Sequence, residues 1–169
     1  MQVLETERLT LHQLAFEDAA FILELVNEPA WLRFIGDKQV HNLEDARNYI
    51  RSGPMDRYAR QGFGLYRVEL KADATPIGIC GLIKRDSLKD VDIGFAFLPQ
   101  YRSQGYGRES AAAVLAYGKT VFRLQRIVAI TSPDNHDSIK LLENIGFAYE
   151  QTLRLSGEPR ETLLFAHQT

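Results

Sequence analysis

Three strand-like segments follow one another in the middle of this chain with no helix between them, and that run excludes more folds than any other feature. Residues 62–71 carry Phe63, Leu65, Val68 and Leu70. Residues 77–83 are almost continuously apolar, and residues 90–98 run up to Pro99. The turn Asp73-Ala74-Thr75-Pro76 joins the first two segments as a hairpin. A doubly wound sheet alternates strand with helix, so consecutive strands rule it out and require antiparallel neighbours.

The flanking segments complete the pattern. Residues 9–14 alternate apolar and polar, as a half-buried strand does. Residues 18–27 place Phe21, Ile22, Leu25 and Val26 on one helical face, and Pro29 is expected to end that helix. Residues 31–36 read as an irregular aromatic stretch. Asn42, with Asp45 three residues on, reads as a helix N-cap. The helix it starts turns Ala46, Tyr49 and Ile50 inward and is expected to fray at Gly53-Pro54, with a second short helical piece over 55–60. Beyond the three strands, a long helix is expected over 107–122, with Ala111, Leu115 and Phe122 on one face. A strand covered on both faces comes next, at 126–131. A helix over 137–144 is closed by Gly146, and a last hairpin joins 147–155 to 161–167 across Ser156-Gly157-Glu158-Pro159. The order β-α-α-β-β-β-α-β-α-β-β is that of an α/β protein with a mixed central sheet flanked by helices, in one domain spanning 1–169.

Composition narrows the functional classes. A chain of 169 residues, 45% hydrophobic and 25% charged, suits one compact core. Its net charge of -2 gives no bulk argument for nucleic acid, although Arg102, Arg108, Lys119, Arg123 and Arg126 fall close in sequence. Cys80 is the sole cysteine, which excludes an intrachain disulfide, and its apolar neighbours read it as a small buried hydrophobe. The chain shows neither a signal-peptide pattern nor an apolar run of membrane-spanning length, so a cytoplasmic protein without membrane partners is expected.

Chemistry is concentrated in Phe97-Leu98-Pro99-Gln100-Tyr101-Arg102-Ser103-Gln104-Gly105-Tyr106-Gly107-Arg108-Glu109. This stretch passes from a strand through a glycine turn into a helix. The first N–H groups of a helix lack intrahelical partners and sit at the positive end of its dipole, so such a turn can hold a phosphate. Taken alone, such a turn reads first as a tight strand-to-helix connection.

Arg102-x-x-Gly105-x-Gly107 resembles the Q/R-x-x-G-x-G/A pyrophosphate loop of the GNAT superfamily of acyl-CoA-dependent N-acetyltransferases. Asp92-Ile93-Gly94-Phe95-Ala96-Phe97 is similar to that family's fourth strand. Asn135-His136-Asp137-Ser138 through Gly146-Phe147 is similar to its N-x-x-[AS]-x-x-L-x-x-x-x-GF element. The opening Thr6-Glu7-Arg8-Leu9-Thr10-Leu11 resembles the branch holding the ribosomal-protein-alanine acetyltransferases RimJ and RimL.

The resemblance implies a fold, a cosubstrate and a set of roles. Acetyl-CoA would lie between two splayed strands, its pantetheine amides against Phe95, Ala96, Phe97 and Leu98. Its pyrophosphate would lie on the N–H groups of Gln104, Gly105, Tyr106, Gly107 and Arg108. Arg102 would add charge or brace the turn. Asn135 would hydrogen-bond the pantetheine arm, cap its helix, or do both. Transfer to a primary amine is direct, so neither a nucleophile nor a metal is implied. An N–H near Phe97 would take the oxyanion, and Asp92 is the candidate base, with a solvated strand charge as the alternative. Glu109 would support the loop, and His136 reads as an exposed first-turn residue.

Departures from the family pattern bear on the mechanism. A tyrosine is common seven residues after the motif asparagine, where this chain has Leu142, which leaves Ser138 and Tyr149 as candidate acids. Ser103 stands where glycine is frequent, and His12 where this branch often has arginine. Trp31, Arg33, Phe34 and Tyr58 would line the acceptor site or belong to the core. The acceptor itself would be a protein N-terminus, a lysine, a polyamine or another small amine, with no direct nucleic-acid partner, and the family allows a homodimer. The alternative function is a non-catalytic acyl-CoA-binding or sensing domain.

Overall fold

The computed structural model describes residues 1–155 and 157–168. Its strands are β1 (Gln2–Glu5), β2 (Leu9–Gln13), β3 (Leu65–Leu70), β4 (Pro76–Ile83), β5 (Asp92–Phe97), β6 (Arg126–Thr131), β7 (Ala148–Leu153) and β8 (Thr162–Gln168). They form one eight-stranded sheet in the order β1-β2-β3-β4-β5-β6-β8-β7. Every neighbouring pair is antiparallel except β5 with β6, which run parallel. The helices are α1 (Ala19–Val26), α2 (Pro29–Phe34), α3 (Leu43–Ile50), α4 (Asp56–Gln61), α5 (Tyr106–Thr120) and α6 (His136–Asn144). The mixed sheet with consecutive central strands is the architecture expected from the sequence.

The pleat of β5 divides the core. Ile93 and Phe97 pack into a cluster that holds Ala111, Val114 and Leu115 of α5 and Leu142 of α6. Ala96 and Leu98 alternate to the other face and join Ile22, Leu25, Ala46 and Ile50 from α1 and α3. α5 and α6 therefore cover one face, and the N-terminal helices cover the other.

Several boundaries differ from the sequence-based expectation. β1 pairs antiparallel with β2 at the sheet edge, and its short, half-exposed pattern carries no periodicity that predicts it. Pro29 begins a helix rather than only ending one. Asn27 closes α1, and the Glu28 carboxylate accepts from the Ala30 and Trp31 N–H groups to cap α2. Proline at the first helical position loses no hydrogen bond, so the aromatic stretch 31–36 is helical through Phe34. Asn42 caps α3 as expected, accepting from the Asp45 N–H at 2.8 Å. The helix does not fray at Gly53-Pro54: a wide π turn, Arg51–Met55, carries it into α4 with Pro54 buried inside. α5 begins at Tyr106, and Gly146 (φ +98) closes α6. Of the last turn, Ser156 lies outside the described residues. Among the described residues, no helix is long and apolar enough to cross a membrane.

Three of the basic residues between 102 and 126 are engaged with protein partners. Arg102 pairs with Glu28, Arg126 with Asp90 and Glu150, and Lys119 meets His167.

Gly81 is where the central strands come closest. It pairs with Leu65, and a Cβ added there would lie 2.0 Å from the Gly64 carbonyl oxygen and 2.7 Å from Leu65 Cα. Both are backbone atoms of a neighbouring strand and cannot rotate away. Gly81→Ala is expected to destabilise the protein by about 3 kcal/mol, read as a lower midpoint in urea unfolding with an unchanged slope.

Candidate active site

β5 and β6 meet at one register position, Asp92 with Val128, secured by the Val128 N–H to the Val91 carbonyl at 3.0 Å. Beyond that point β6 is paired only with β8, and the facing edge of β5 has no strand partner among the described residues. The backbone groups on that edge can be assigned. Leu98 N–H donates to the Ile77 carbonyl at 2.9 Å. The alternation of an antiparallel ladder then directs Ala96 and Gly94 to β4 as well, and turns the N–H and C=O of Phe95 and Phe97 into the gap. Of the strand residues expected to meet a ligand, Phe95 and Phe97 therefore offer backbone to the cleft. Ala96 spends its groups on β4, and Leu98 gives its N–H to Ile77 while its carbonyl accepts from the Tyr101 N–H.

The loop at the far end of β5 is an anion cradle. Among the described residues, none of the backbone N–H groups from Ser103 through Arg108 donates to a protein acceptor, and intrahelical bonding begins with Glu109 N–H to the Gly105 carbonyl. The chemistry of this donor set, neutral N–H groups at the positive end of a fifteen-residue helix, fits a pyrophosphate. The two glycines have different reasons to be there. Gly105 is the helix N-cap at φ +86, a left-handed conformation. Gly107 is needed for packing: a Cβ would lie 2.8 Å from Leu141 of α6 and 3.6 Å from the Phe97 ring. Ser103 adopts φ +60, which explains why glycine suits that position elsewhere.

Arg102 braces the turn. Its Nε donates to the Phe97 carbonyl at 3.0 Å, and Nη2 reaches Glu28 Oε2 at 2.7 Å. That carboxylate also caps α2, so one arginine ties the cleft edge to the opposite face of the sheet. Gln104 is held by its side-chain N–H to the Gln100 carbonyl.

The sequence reading missed Arg8 and Thr6. Arg8 Nη1 donates to the Gln104 carbonyl at 3.1 Å, Nε donates to Glu109 Oε1 at 2.8 Å, and the guanidinium lies 4.4 Å from the centre of the Tyr106 ring. The Thr6 hydroxyl and the Arg8 N–H both donate to Glu109 Oε2. The opening Thr6-Glu7-Arg8 is thus a clamp on the first turn of α5, some hundred residues away in sequence. Partial burial pushes the Glu109 carboxyl up, but Thr6 and Arg8 together hold it below the ordinary carboxylate range.

Asp92 sits where the strands part, 1% exposed, on the face covered by the N-terminal helices. Arg85 Nε donates to its Oδ1 at 3.0 Å, while the buried Oδ2 has no hydrogen-bond partner. Burial pushes its carboxyl up to about 6, against the pull of Arg85 and, more weakly, Arg57. A carboxylate with an unpartnered oxygen and a value near neutrality is suited to accept a proton.

The remaining candidates separate by environment. Asn135 caps α6 by accepting from the Ser138 N–H at 3.3 Å, and its amide N–H groups donate to nothing else among the described residues. Ser138 is half-buried and His136 exposed. Tyr149 is exposed and bonds Thr152. Trp31 is 4% exposed and belongs to the core with Leu25 and Ile50. Arg33 is exposed, pairs with Asp134 at 3.0 Å and stacks over Phe34, which is half-buried. Tyr58 is structural, taking the Leu14 N–H and donating to the Leu65 carbonyl. His12 pairs with Glu69 at 2.9 Å, well away from the loop. Cys80 is buried, and burial pushes its thiol up to about 12, so it is no nucleophile at neutral pH.

The Glu109 clamp has a pH signature. A carboxyl held low in the folded state stabilises it above the unfolded value of roughly 4.3, and that stabilisation is lost as pH falls through the folded value. Glu109→Gln is expected to cost about 1 kcal/mol at neutral pH, discounted because Arg8 is half-exposed. Thermal unfolding of both proteins across a pH series should show the gap closing below roughly pH 4.

These features agree with the comparisons. Residues 8–148 match the acetyltransferase (GNAT) domain family. The chain is 28% identical over 170 residues to the uncharacterized N-acetyltransferase YoaA of Bacillus subtilis strain 168, covering 97% of this chain and 95% of that protein. A GNAT-family acetyltransferase of Bacillus anthracis has the same fold, with a TM-score of 0.81 at 25% identity over 99% of this chain and 98% of that one. RimL, the ribosomal L7/L12 α-N-protein acetyltransferase solved with coenzyme A, superposes with a TM-score of 0.84 at 18% identity over 99% and 98% of the two chains, which supports the fold. With a split parallel pair, an N–H-lined loop and a match over most of its length, this chain belongs to the GNAT acetyltransferase family.

Proposed function

We propose that this acetyltransferase transfers the acetyl group of acetyl-CoA directly to a primary amine, with Asp92 as the base. The observation that carries the reading is the open edge of β5: an N–H-lined cradle at one end, unpaired strand backbone along it, and a buried carboxylate with an unpartnered oxygen where it closes. The pyrophosphate rests on the N–H groups of Gly105 to Arg108, and the pantetheine amides pair with Phe95 and with the free amide of Asn135. Arg8 and Arg102 hold the cradle in shape, since their own hydrogen bonds run to protein groups.

The chemistry needs little from side chains. The neutral amine attacks the thioester carbonyl, and the negative charge on that oxygen is taken by the Phe97 N–H. Asp92, about 17 Å down the strand from Phe97, accepts the amine proton through water along the open edge of β5. The CoA thiolate departs as a fair leaving group, so Leu142 in place of a tyrosine leaves turnover feasible. Ser138, beside Asn135 on the first turn of α6, is the candidate donor to that thiolate.

A folded sample titrated calorimetrically with acetyl-CoA should show saturable binding of about one molecule per chain; no binding would remove the reading. Asp92 acts as a base only when ionised, so kcat is expected to rise with pH through about 6. Asp92→Asn should lower kcat about 100-fold, remove that limb and leave acetyl-CoA affinity nearly unchanged. An unchanged rate profile would exclude Asp92. Binding with no turnover on any amine would favour a sensing domain instead.

A further inference from the structure

A cavity of about 270 Å³ opens at the opposite end of β5 from the anion cradle, between α4 and the turn after β4. From Asp92 to Phe97 the strand covers about 17 Å, so a charge bound here is not the one held by residues 103–108. The cavity is lined by Arg57 and Arg85, together with Arg60, Lys84, Asp56 and Asp86.

The lining charges are not equally available. Arg60 is paired with Asp56 at 3.5 Å. Lys84 Nζ is bound to the carbonyls of Arg85 and Leu88, at 2.8 and 2.6 Å. Arg85 uses Nε on Asp92 and keeps both terminal nitrogens free of any partner among the described residues. Arg57 is half-buried and has no hydrogen bond or ion pair there at all. Asp86 is exposed at the rim. Two planar donor forks thus line one space the size of a side chain, and Arg85 links it to Asp92. Such forks match the paired oxygens of a carboxylate or phosphate.

We infer that the acceptor carries an oxyanion as well as its amine, and that Arg57 and Arg85 bind the oxyanion in this cavity while the amine extends along the open edge of β5 towards the thioester. The inference deepens the proposed function and rests on it. It resolves an electrostatic difficulty of the site. A simple amine is an ammonium in water and is repelled by Arg57 and Arg85. A molecule that leads with an oxyanion is drawn in instead, and the same cations then favour release of its ammonium proton. Lys38 already reports this field: its ammonium is held below the ordinary range by loss of water and then by Arg85 and Arg57, with Glu158 opposing.

The test is a calorimetric titration of the protein, with and without saturating CoA, using ω-amino acids of increasing length, their carboxamides, and the matching aminoalkyl phosphates. At least one acid or phosphate is expected to bind about tenfold or more tightly than its amide, a gap of roughly 1.4 kcal/mol. Whichever oxyanion is preferred identifies the source. Arg57→Gln should erase the gap, and Arg57→Lys should restore part of it, as a charge would and a packing role would not. Equal affinity for acid and amide, no binding of any acid probe, or an acid preference untouched in Arg57→Gln would overturn the inference. Titration of the same samples with acetyl-CoA separates the two readings. Intact acetyl-CoA binding with no acid preference removes only the acceptor class, and absent acetyl-CoA binding removes both.

Discussion

The structure depends on one pair of parallel strands that agree at a single position. Backbone N–H and C=O groups inside a protein must be paired, and a central strand with an open edge violates that rule unless something else fills it. β5 is bonded along its whole length to β4 and pairs with β6 only at Asp92 and Val128. Everything distinctive nearby is arranged around that opening. Arg102 takes the Phe97 carbonyl, Gly107 lets α5 close down beside it, and β8, entering between β6 and β7, gives β6 a partner elsewhere. A peptide-like ligand arm would complete the sheet in the manner of an added strand.

Much of this is legible in the sequence because it is local. The Gly105-x-Gly107 turn, the Asn42 and Asn135 caps and the Gly146 helix end each follow from a conformational preference read within a few residues. Asp92 can be singled out by its place on a strand. Its unpartnered oxygen and raised value cannot, because they arise from burial in the folded chain, which outweighs the opposing pull of Arg85. The Thr6–Arg8–Glu109 clamp is invisible as a contact, since nothing in either segment announces a partner so far along the chain. The opening tripeptide carries a family resemblance whose physical reason only the folded chain supplies.

Where local rules fail, a competing constraint wins. Pro29 is expected to stop a helix, and it starts one because Glu28 supplies a cap and a first-turn proline forfeits nothing. Trp31 and Phe34 illustrate the same limit on site assignment: both sit on α2, but the indole is enclosed among Leu25 and Ile50 while the phenyl ring stays half-open beneath Arg33. Residue type alone does not separate these two environments.

The π turn at Arg51–Met55 has a consequence for how such sites diversify. A π turn holds one residue more than the α-helical path it replaces, and each residue in a helix turns the succeeding side chain by about 100° around the axis. Tyr58, which anchors Leu14 and Leu65, and Arg57, which faces the cavity, owe their directions to that extra residue. A relative lacking it would keep an identical side-chain alphabet and aim it elsewhere. Removing one residue from the π turn would therefore redirect Arg57 and Tyr58 together without replacing either.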